Sequence, residues 1–255
     1  MMLLPAVLLG MLGAVVASFV GVLVARLHTG ASFLSGRSRC DACNRELSPF
    51  ALVPILSYLA ARGRAQCCGA RISSFAPLTE ALLGGLFVLS YAKLGLSLAL
   101  LFTLLSLASL LALVLYDLAH QILPPVVLGV FVASAAATGF FSAASLAEFS
   151  GTLFTAGVIA GSLTLLHYLS RGRAMGFSDA PLSLGLALLV GPAALSGFVF
   201  SFWIGAVIGI GLLVQRPRGS RMGVEVPFAP FLAAGFLLAY FTQWNPFILI
   251  AALAN

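Results

Sequence analysis

The sequence predicts an all-α integral membrane protein, a polytopic bundle of about eight transmembrane helices with a small cytoplasmic loop domain. Two observations lead to this class. Of the 255 residues, 61% are hydrophobic and only 8% are charged, whereas a soluble domain carries about 25% charged residues. In addition, apolar runs of about 20 residues recur along the chain, and each is long enough to cross a bilayer as a helix.

Eight apolar segments are predicted to span the membrane. They cover residues 4–25, 78–95, 97–116, 123–141, 150–169, 180–196, 198–215 and 229–250. The first contains "VVAS" at residues 15–18, which is similar to a signal-peptide cleavage site. No positive charge precedes its apolar run, so we expect this segment to be retained as a membrane span. The predicted organisation is a first transmembrane helix over 1–26, a cysteine-containing cytoplasmic loop domain over 27–77 and a transmembrane core over 78–255.

The positive charges predict how the chain is oriented in the membrane. All but one of the 13 Lys and Arg residues are Arg, and they cluster in the loops after segments one, five and seven. An even number of segments separates these loops, so all three face the same side, and the lone Lys93 lies on the other. The positive-inside rule then makes the Arg-rich loops cytoplasmic and both termini external. This distribution points to the lipid bilayer as a partner and to no nucleic acid, despite the net charge of +6.

Two acidic residues are the candidate functional groups. Asp117 follows the third segment in "YDLAHQILPP", and Asp179 precedes the sixth in "RGRAMGFSD", so the predicted topology places both at the cytoplasmic boundary of the membrane. A carboxylate so close to hydrocarbon is costly, which makes both functional candidates. The structural alternative is a helix cap or a salt bridge to Arg171 or Arg173. Glu80 is expected in the first turn of the second segment, where an acid suits the positive helix end.

A pair of neighbouring carboxylates has the chemistry of an aspartic protease. Two such groups share one proton, so one member activates a water as a base while the other donates a proton to the substrate. From the helix ends alone, Asp179 is the expected base and Asp117 the expected acid. Gly176 permits close backbone contact, and Pro124 interrupts the chain after Asp117. The rival interpretation is a proton-coupled transporter, although its relay carboxylates usually lie near the bilayer midplane.

At these residues the chain resembles the type IV prepilin peptidases, which are membrane aspartic proteases of the GxGD type. "YDLAHQILPP" is similar to the family stretch around the first aspartate, and "GFSDAPL" is similar to its G-x-G-D-x-K-L motif. Four further stretches resemble family motifs in the same order: "ASFVGVLVARL", "VPILSYLAARGRAQCCGARIS", "PLTEALLGGLF" and "VPFAPFLAAG". The resemblance therefore covers nearly the whole chain.

The resemblance implies a function and a location. Enzymes of this family reside in the cytoplasmic (inner) membrane and remove the basic leader of type IV prepilins and type II secretion pseudopilins on the cytoplasmic side. Asp117 and Asp179 would be catalytic, with Gly176, Ser178 and Pro124 as supporting residues. Many members also methylate the new N-terminus with S-adenosylmethionine. No glycine-rich nucleotide loop is evident in this sequence to hold that donor, and no feature defines an oligomeric state.

Three departures from the family pattern lie close to the aspartates. Ser178 replaces the glycine before the second aspartate, and a serine reaches positive φ less readily than a glycine. Pro181 replaces a lysine, and Pro125 follows the "LP" pair in place of an acidic or amide residue. Ser178 and Pro181, together with Ala65 in the cysteine loop, keep a second alternative open, a non-catalytic descendant that binds pilins without cutting them.

The four cysteines, Cys40, Cys43, Cys67 and Cys68, all lie between the first two segments. In a cytoplasmic loop we expect reduced thiols, and "CDAC" with a later cysteine pair is typical of a zinc knuckle. By the family pattern, the fourth ligand position falls on Ala65, and Cys67 is its candidate replacement. Adjacent cysteines chelate one ion only with strained geometry. A vestigial loop with free thiols, or a site completed by His28, are the alternatives.

Overall fold

The computed structural model describes residues 3–27, 38–40, 42–173, 175–215 and 227–246. Helices make up most of this part of the chain, and it contains no strand beyond two isolated bridges, Arg39 with Glu46 and Arg64 with Arg71. The chain divides into two compact units, Met1–Leu96 and Ser97–Asn255. Each unit is described by itself.

The first unit is a helix pair with the cysteine-containing segment between its helices. Helix α1 covers Leu3–Arg26, the short α2 covers Leu56–Ala60 and α3 covers Phe75–Leu94. Glycines line the α1–α3 contact: a Cβ added to Gly13 would lie 2.8 Å from Gly84 Cα, and one added to Gly84 would lie 2.8 Å from the Gly10 carbonyl oxygen. Small residues let membrane helices approach this closely, so these glycines define how α1 and α3 pack.

The second unit contains six of the described helices. They are α4 (Leu98–His120), α5 (Pro125–Ser142), α6 (Leu146–Leu169), α7 (Asp179–Val190), α8 (Ala194–Gln215) and α9 (Ala229–Thr242). Local sequence explains the starts of three of them. Ser97 and Ser145 cap α4 and α6 by accepting a backbone N–H, and Pro125 is the first residue of α5, where a missing N–H costs nothing.

Helix α7 lies at the centre of the second unit. Its residues Leu182, Ser183, Leu186 and Ala187 are fully buried, and they pack into a core formed with α4, α5, α6 and α9. A helix that is apolar on all sides is expected to be surrounded by other helices in this way. The centre of the bundle therefore determines where Asp179, the first residue of α7, is held.

The helix directions follow from close contacts between named residues. A Cβ on Gly185 would meet Phe131, and one on Gly139 would lie 2.7 Å from the Leu188 carbonyl oxygen, so α5 and α7 run parallel. Along α8, Gly197 lies against Phe236 and Gly205 against Phe231, so α8 and α9 are antiparallel. The starts of α5, α7 and α9 and the end of α4 consequently lie at one end of this unit.

The prediction of an all-α membrane bundle is confirmed, and each of the eight predicted apolar segments contains a helix. Six helical segments of the described residues are long and apolar enough to cross a membrane. The last of these, Asp179–Leu212, is not one continuous helix. It contains α7 and most of α8, because Gly191 at φ +69° ends α7 and the chain reverses there. With 12 residues, α7 is only about 18 Å long. Helix α9 has 14 residues rather than the predicted span over 229–250, whose last four residues lie outside the described part.

Candidate active site and cysteine cluster

Asp117 lies in the last turn of α4 and is buried, with 7% of its surface exposed. The third segment was expected to end at Tyr116, but the helix continues to His120, and Gln121 ends it in a left-handed conformation by donating its N–H to the Asp117 carbonyl. The carboxylate Oδ2 of Asp117 accepts the backbone N–H of Ala229 at 3.3 Å. Asp117 thus joins the end of α4 to the start of α9.

Asp179 is the first residue of α7 and is also buried, with 8% of its surface exposed. The backbone of Gly176 is hydrogen-bonded to its carboxylate, and the Asp117 carboxylate is near enough for its charge to act on Asp179. Among the described residues, neither Arg171 nor Arg173 forms an ion pair with either aspartate, so the salt-bridge alternative finds no support. Two buried acids at one end of this unit therefore act on each other electrostatically, and no cation among the described residues forms an ion pair with either of them.

The supporting residues occupy the turns around this pair. Pro124 is buried and directly precedes α5, while Gly176 is exposed, and a Cβ there would lie 3.6 Å from Oδ2 of Asp179. Ser178 has φ −67° and ψ −16°, an ordinary right-handed conformation. The backbone at this position therefore does not require a glycine, which removes the conformational objection to serine.

The start of α9 contacts Asp117, a role that its sequence did not predict. Ala229 is fully buried, and Pro230 in the first turn marks the beginning of the helix. The available signal was the stretch "VPFAPFLAAG", which resembles a family motif and has a proline where helices commonly begin. This pattern does not indicate that the N–H of Ala229 donates to the carboxylate of Asp117, over 100 residues earlier in the chain.

All four cysteines meet in the first unit. Their sulfur atoms lie within 4.8 Å of one another. The shorter separations are 3.3 Å between Cys43 and Cys67, 3.8 Å between Cys40 and Cys68 and 3.9 Å between Cys67 and Cys68. This cluster has the composition and compactness of a metal site. His28 lies outside the described residues.

The first cysteine hook is a tight turn over residues 40–45. Cys40 N–H donates to the Arg45 carbonyl at 2.9 Å, and Asn44 N–H donates to the Cys40 carbonyl at 2.8 Å. Asn44 has φ +59°. Backbone hydrogen bonds from Cys43 and Ala42 lower the pKa of the Cys40 thiol to about 7, so this sulfur is converted to a thiolate more readily than an ordinary cysteine thiol.

The second hook, over residues 65–70, has the same backbone conformation as the first. Ala65 N–H donates to the Ala70 carbonyl at 2.8 Å, and Gly69 N–H donates to the Ala65 carbonyl at 2.7 Å, with Gly69 at φ +72°. Ala65 therefore occupies the position that Cys40 has in the first hook, and Cys68 corresponds to Cys43. Hydrogen bonds with Cys43 and Cys40 raise the pKa of the Cys67 thiol to about 12.

Glu80 has a role that its sequence context did not predict. It is the sixth residue of α3, which begins at Phe75, so it does not lie in the first turn as expected. Its side chain is buried, with 7% exposed, and Oε2 accepts the backbone N–H of Ile55 at 2.7 Å. Glu80 therefore connects the loop between α1 and α3 to the body of α3.

The fold and these sites define a polytopic α-helical membrane protein with a buried pair of carboxylates in one unit and a four-cysteine cluster in the other. Residues 11–94 match the bacterial peptidase A24 N-terminal domain. A prepilin leader peptidase/N-methyltransferase of Bacillus subtilis is 30% identical over 231 residues, which cover 89% of this chain and 90% of that protein.

Two further relatives carry the same name. The protein from Myxococcus xanthus is 33% identical over 224 residues, 84% of this chain and 64% of its own length. The protein from Pseudomonas aeruginosa is 31% identical over 215 residues, 78% of this chain and 70% of its own length. No solved structure matches the chain. The chain belongs to the prepilin leader peptidase/N-methyltransferase family.

Proposed function

We propose that Asp117 and Asp179 are the catalytic pair with which this chain removes the leader peptide of prepilins or pseudopilins. The observation that carries this proposal is that two buried carboxylates from distant parts of the chain interact, with no cation of the described residues between them. Buried acids in a membrane protein are energetically costly, and their presence therefore indicates a functional site. Membership of a family named for prepilin processing supplies the reaction and the substrate class.

The reaction is hydrolysis of one peptide bond. The ionised member of the pair takes a proton from water, whose oxygen attacks the scissile carbonyl carbon, while the protonated member donates its proton to the carbonyl oxygen. Collapse of the tetrahedral gem-diol breaks the C–N bond: one of its hydroxyls returns a proton to the pair as the new carboxyl group forms, and the leaving nitrogen takes a proton from the pair. Both carboxylates end with the one shared proton with which they began.

We assign the roles of general base and general acid to the pair as a whole and not to one aspartate each. Asp179 was expected to be the base only from the end of the helix to which each aspartate belongs. Asp117 also lies at the N-terminus of α9, where the Ala229 N–H favours negative charge. Each carboxylate therefore faces the N-terminal end of a helix, and coupled groups titrate together.

We propose that the catalytic end of the second unit faces the cytoplasm of the inner membrane. The exposed residues Arg171 and Arg173 follow α6, and Leu163 near the end of α6 packs against Met175 and Ala180 beside Asp179. The Arg-rich turn is thus close to the aspartates along the membrane normal, and the positive-inside rule orients that end inward. A prepilin can keep its apolar helix in lipid while its cut site reaches this boundary.

The family name also includes N-methylation, and S-adenosylmethionine is the donor that the resemblance implies. It would supply an electrophilic methyl group to the new terminal amine. We assign no residue to this donor, because the sequence offers no glycine-rich nucleotide loop to test for a fit.

The peptidase proposal is tested by substitution within the pair. Asp117→Asn and Asp179→Asn retain side-chain size and an acceptor oxygen but cannot ionise, so each is expected to reduce cleavage of a co-expressed prepilin by at least about a thousandfold. The measurement is mass spectrometry of the product's N-terminus, which also reports an added methyl group.

Glu148→Gln is the matched control, since Glu148 is an exposed carboxylate at the start of α6, at the opposite end of this unit, and it should cleave normally. Full cleavage by either aspartate variant would exclude the proposed pair. Intact prepilin with the unaltered protein, across several prepilins, would favour a pilin-binding descendant or a transporter.

We further propose that the cysteine cluster holds zinc. Four thiolates at zinc–sulfur distances of 2.3 Å in a tetrahedron lie about 3.8 Å apart, close to the separations of 3.3–3.9 Å between the paired sulfurs. Soft thiolate ligands suit this metal. Bound zinc would fix the two hooks to each other, which is a structural role.

In this cluster Cys67 takes the place of the ligand missing at Ala65. The two hooks have the same backbone conformation, so a cysteine at position 65 would be equivalent to Cys40, but the chain has alanine there. Cys67 lies 3.3 Å from Cys43 and therefore brings the fourth sulfur to the cluster from two residues further along the same turn.

Zinc content of the purified protein tests this arrangement. Cys67→Ser is expected to lose most of a complement of about one zinc per chain, and the double variant Ala65→Cys/Cys67→Ser to regain it, because the ligand returns to the equivalent hook position. Cys43→Ser is the control that Ala65→Cys should not rescue. Full zinc in Cys67→Ser would remove Cys67 from the ligand set, and no zinc in the unaltered protein would favour the vestigial loop.

A further inference from the structure

Residues 49–60 of the first unit form an apolar surface that the unit itself does not cover. This segment, called here the apolar loop, comprises a short 3-10 turn at Pro49–Leu52 followed by α2. Five large apolar side chains are exposed: Phe50 (83%), Leu52 (45%), Val53 (39%), Leu56 (64%) and Leu59 (64%). Such a patch outside the membrane-spanning helices needs a partner, because water would be a poor solvent for it.

A strained turn fixes the apolar loop to α3. Ile55 has φ +60° and ψ −52°, a conformation that β-branched residues rarely adopt, and Leu56 N–H donates to the Pro54 carbonyl at 2.5 Å across it. The hydrogen bond from Ile55 N–H to buried Glu80 compensates for this strain. The loop is therefore held at a defined place along α3.

That place is the membrane boundary. With 20 residues α3 is about 30 Å long, which equals the thickness of the hydrocarbon core. Glu80 lies about 8 Å from the start of α3, and helical side chains point back toward the N-terminus, so its carboxylate reaches the level of the first turn. Phe75 and Leu78 of that turn are themselves exposed.

The charges next to the apolar loop fit anionic lipid. Arg62 and Arg64 directly follow α2, Arg71 precedes α3, and the side chains of Arg62 and Arg64 are exposed. A guanidinium at the membrane surface is attracted to anionic headgroups. Apolar side chains flanked by arginines at this depth have the pattern of a segment that lies in the interface.

We propose that the apolar loop lies in the membrane interface, with its exposed apolar side chains among lipid acyl chains, its neighbouring arginines on anionic headgroups and Glu80 as the anchor that sets its depth. This assignment does not depend on the peptidase chemistry. It makes the cysteine-containing loop a membrane-associated segment rather than one that extends freely into the aqueous phase.

The test is tryptophan fluorescence in reconstituted vesicles of phosphatidylglycerol and brominated phosphatidylcholine. Phe50→Trp is made in the full chain with Trp203→Phe and Trp244→Phe, and Gln66→Trp, on the exposed second hook, is the control. For Phe50→Trp we expect quenching by bromines near the headgroup to be at least about twofold stronger than by bromines near the bilayer centre. Aqueous iodide should quench Gln66→Trp but not Phe50→Trp.

Iodide quenching of Phe50→Trp equal to that of Gln66→Trp would overturn the proposal. Protection of Phe50→Trp from both lipid bromines and iodide would also overturn it, since a protein surface would then cover the loop. Adding Glu80→Ala to Phe50→Trp should increase iodide quenching, because Ile55 N–H loses its acceptor. Adding Glu80→Gln should leave iodide quenching unchanged, because the amide oxygen still accepts the N–H of Ile55. Equal iodide quenching with Glu80→Ala and Glu80→Gln would exclude Glu80 as the anchor.

Discussion

The carboxylate of Asp117 has a structural role besides the chemistry proposed for it. It accepts the N–H of Ala229, and that amide is buried where no water would replace the lost acceptor. A buried donor without a partner costs more than the hydrogen bond itself contributes. One side chain thus holds the start of α9 against the end of α4.

Asp117→Ala is therefore expected to destabilise the protein by about 1–3 kcal/mol relative to Asp117→Asn, which keeps an acceptor oxygen. Thermal unfolding of the two purified variants in the same detergent measures the difference. If both unfolded at the same temperature, the contact with Ala229 would contribute nothing to stability.

The sequence predicted which residues matter at the acidic site, but not how their backbones meet. Asp117 and Asp179 stood out because so few charges occur in the chain. Ser178 was expected to need a positive φ, and the structure gives it a right-handed one, because a family pattern records which residue is common and not which conformation it adopts. Glu80 was expected to act through its own helix, whereas it binds a loop 25 residues away in the chain.

At the scale of helices, composition predicted well which segments form helices and less well where those helices begin and end. Each apolar segment became a helix because a bilayer requires backbone groups to be satisfied within it. The predicted span over 180–196 contains the end of α7 at Val190, since Gly191 turns the chain. Hydropathy does not register such a reversal, because the residues on both sides of it are equally apolar. Hydropathy also ended the third segment at Tyr116, because Asp117 interrupts the apolar run, although the helix itself continues to His120.

Adjacent glycines in α3 provide a direct test of how α1 and α3 pack. A Cβ on Gly84 would lie 2.8 Å from the backbone of Gly10, while a Cβ on Gly85 meets nothing within 4 Å. Gly84→Ala should destabilise the protein by about 1–3 kcal/mol, because a backbone contact cannot move aside as a side chain would. Gly85→Ala should leave stability unchanged or slightly higher, since alanine favours helix.

Thermal unfolding of the full chain in detergent compares these two variants under identical conditions. Equal unfolding temperatures would mean that the close approach of α1 and α3 does not stabilise the protein. A larger loss for Gly85→Ala would place the contact surface on the opposite face of α3.

At the scale of the molecule, the arrangement of charge and the helix directions lead to one orientation. Helix α6 ends near Asp179, and its last residues are followed by exposed Arg171 and Arg173. Its start, capped by Ser145 and Glu148, has no basic residue nearby in the sequence. The end of α6 is therefore more positively charged than its start, and the positive-inside rule predicts that this end is cytoplasmic.

Reporter fusions on either side of α6 test this orientation. Green fluorescent protein joined after Gly172 should fluoresce, because that turn is expected in the cytoplasm, while alkaline phosphatase joined after Ala144 should be active, because that turn is expected outside. Exchanging the two reporters at the same positions should abolish both signals, which controls for expression. The reverse pattern would put Asp117 and Asp179 at the external face. A leader cut on the cytoplasmic side, as proposed, would then be out of reach of the carboxylates, and the proposed cleavage would have to occur elsewhere in the protein.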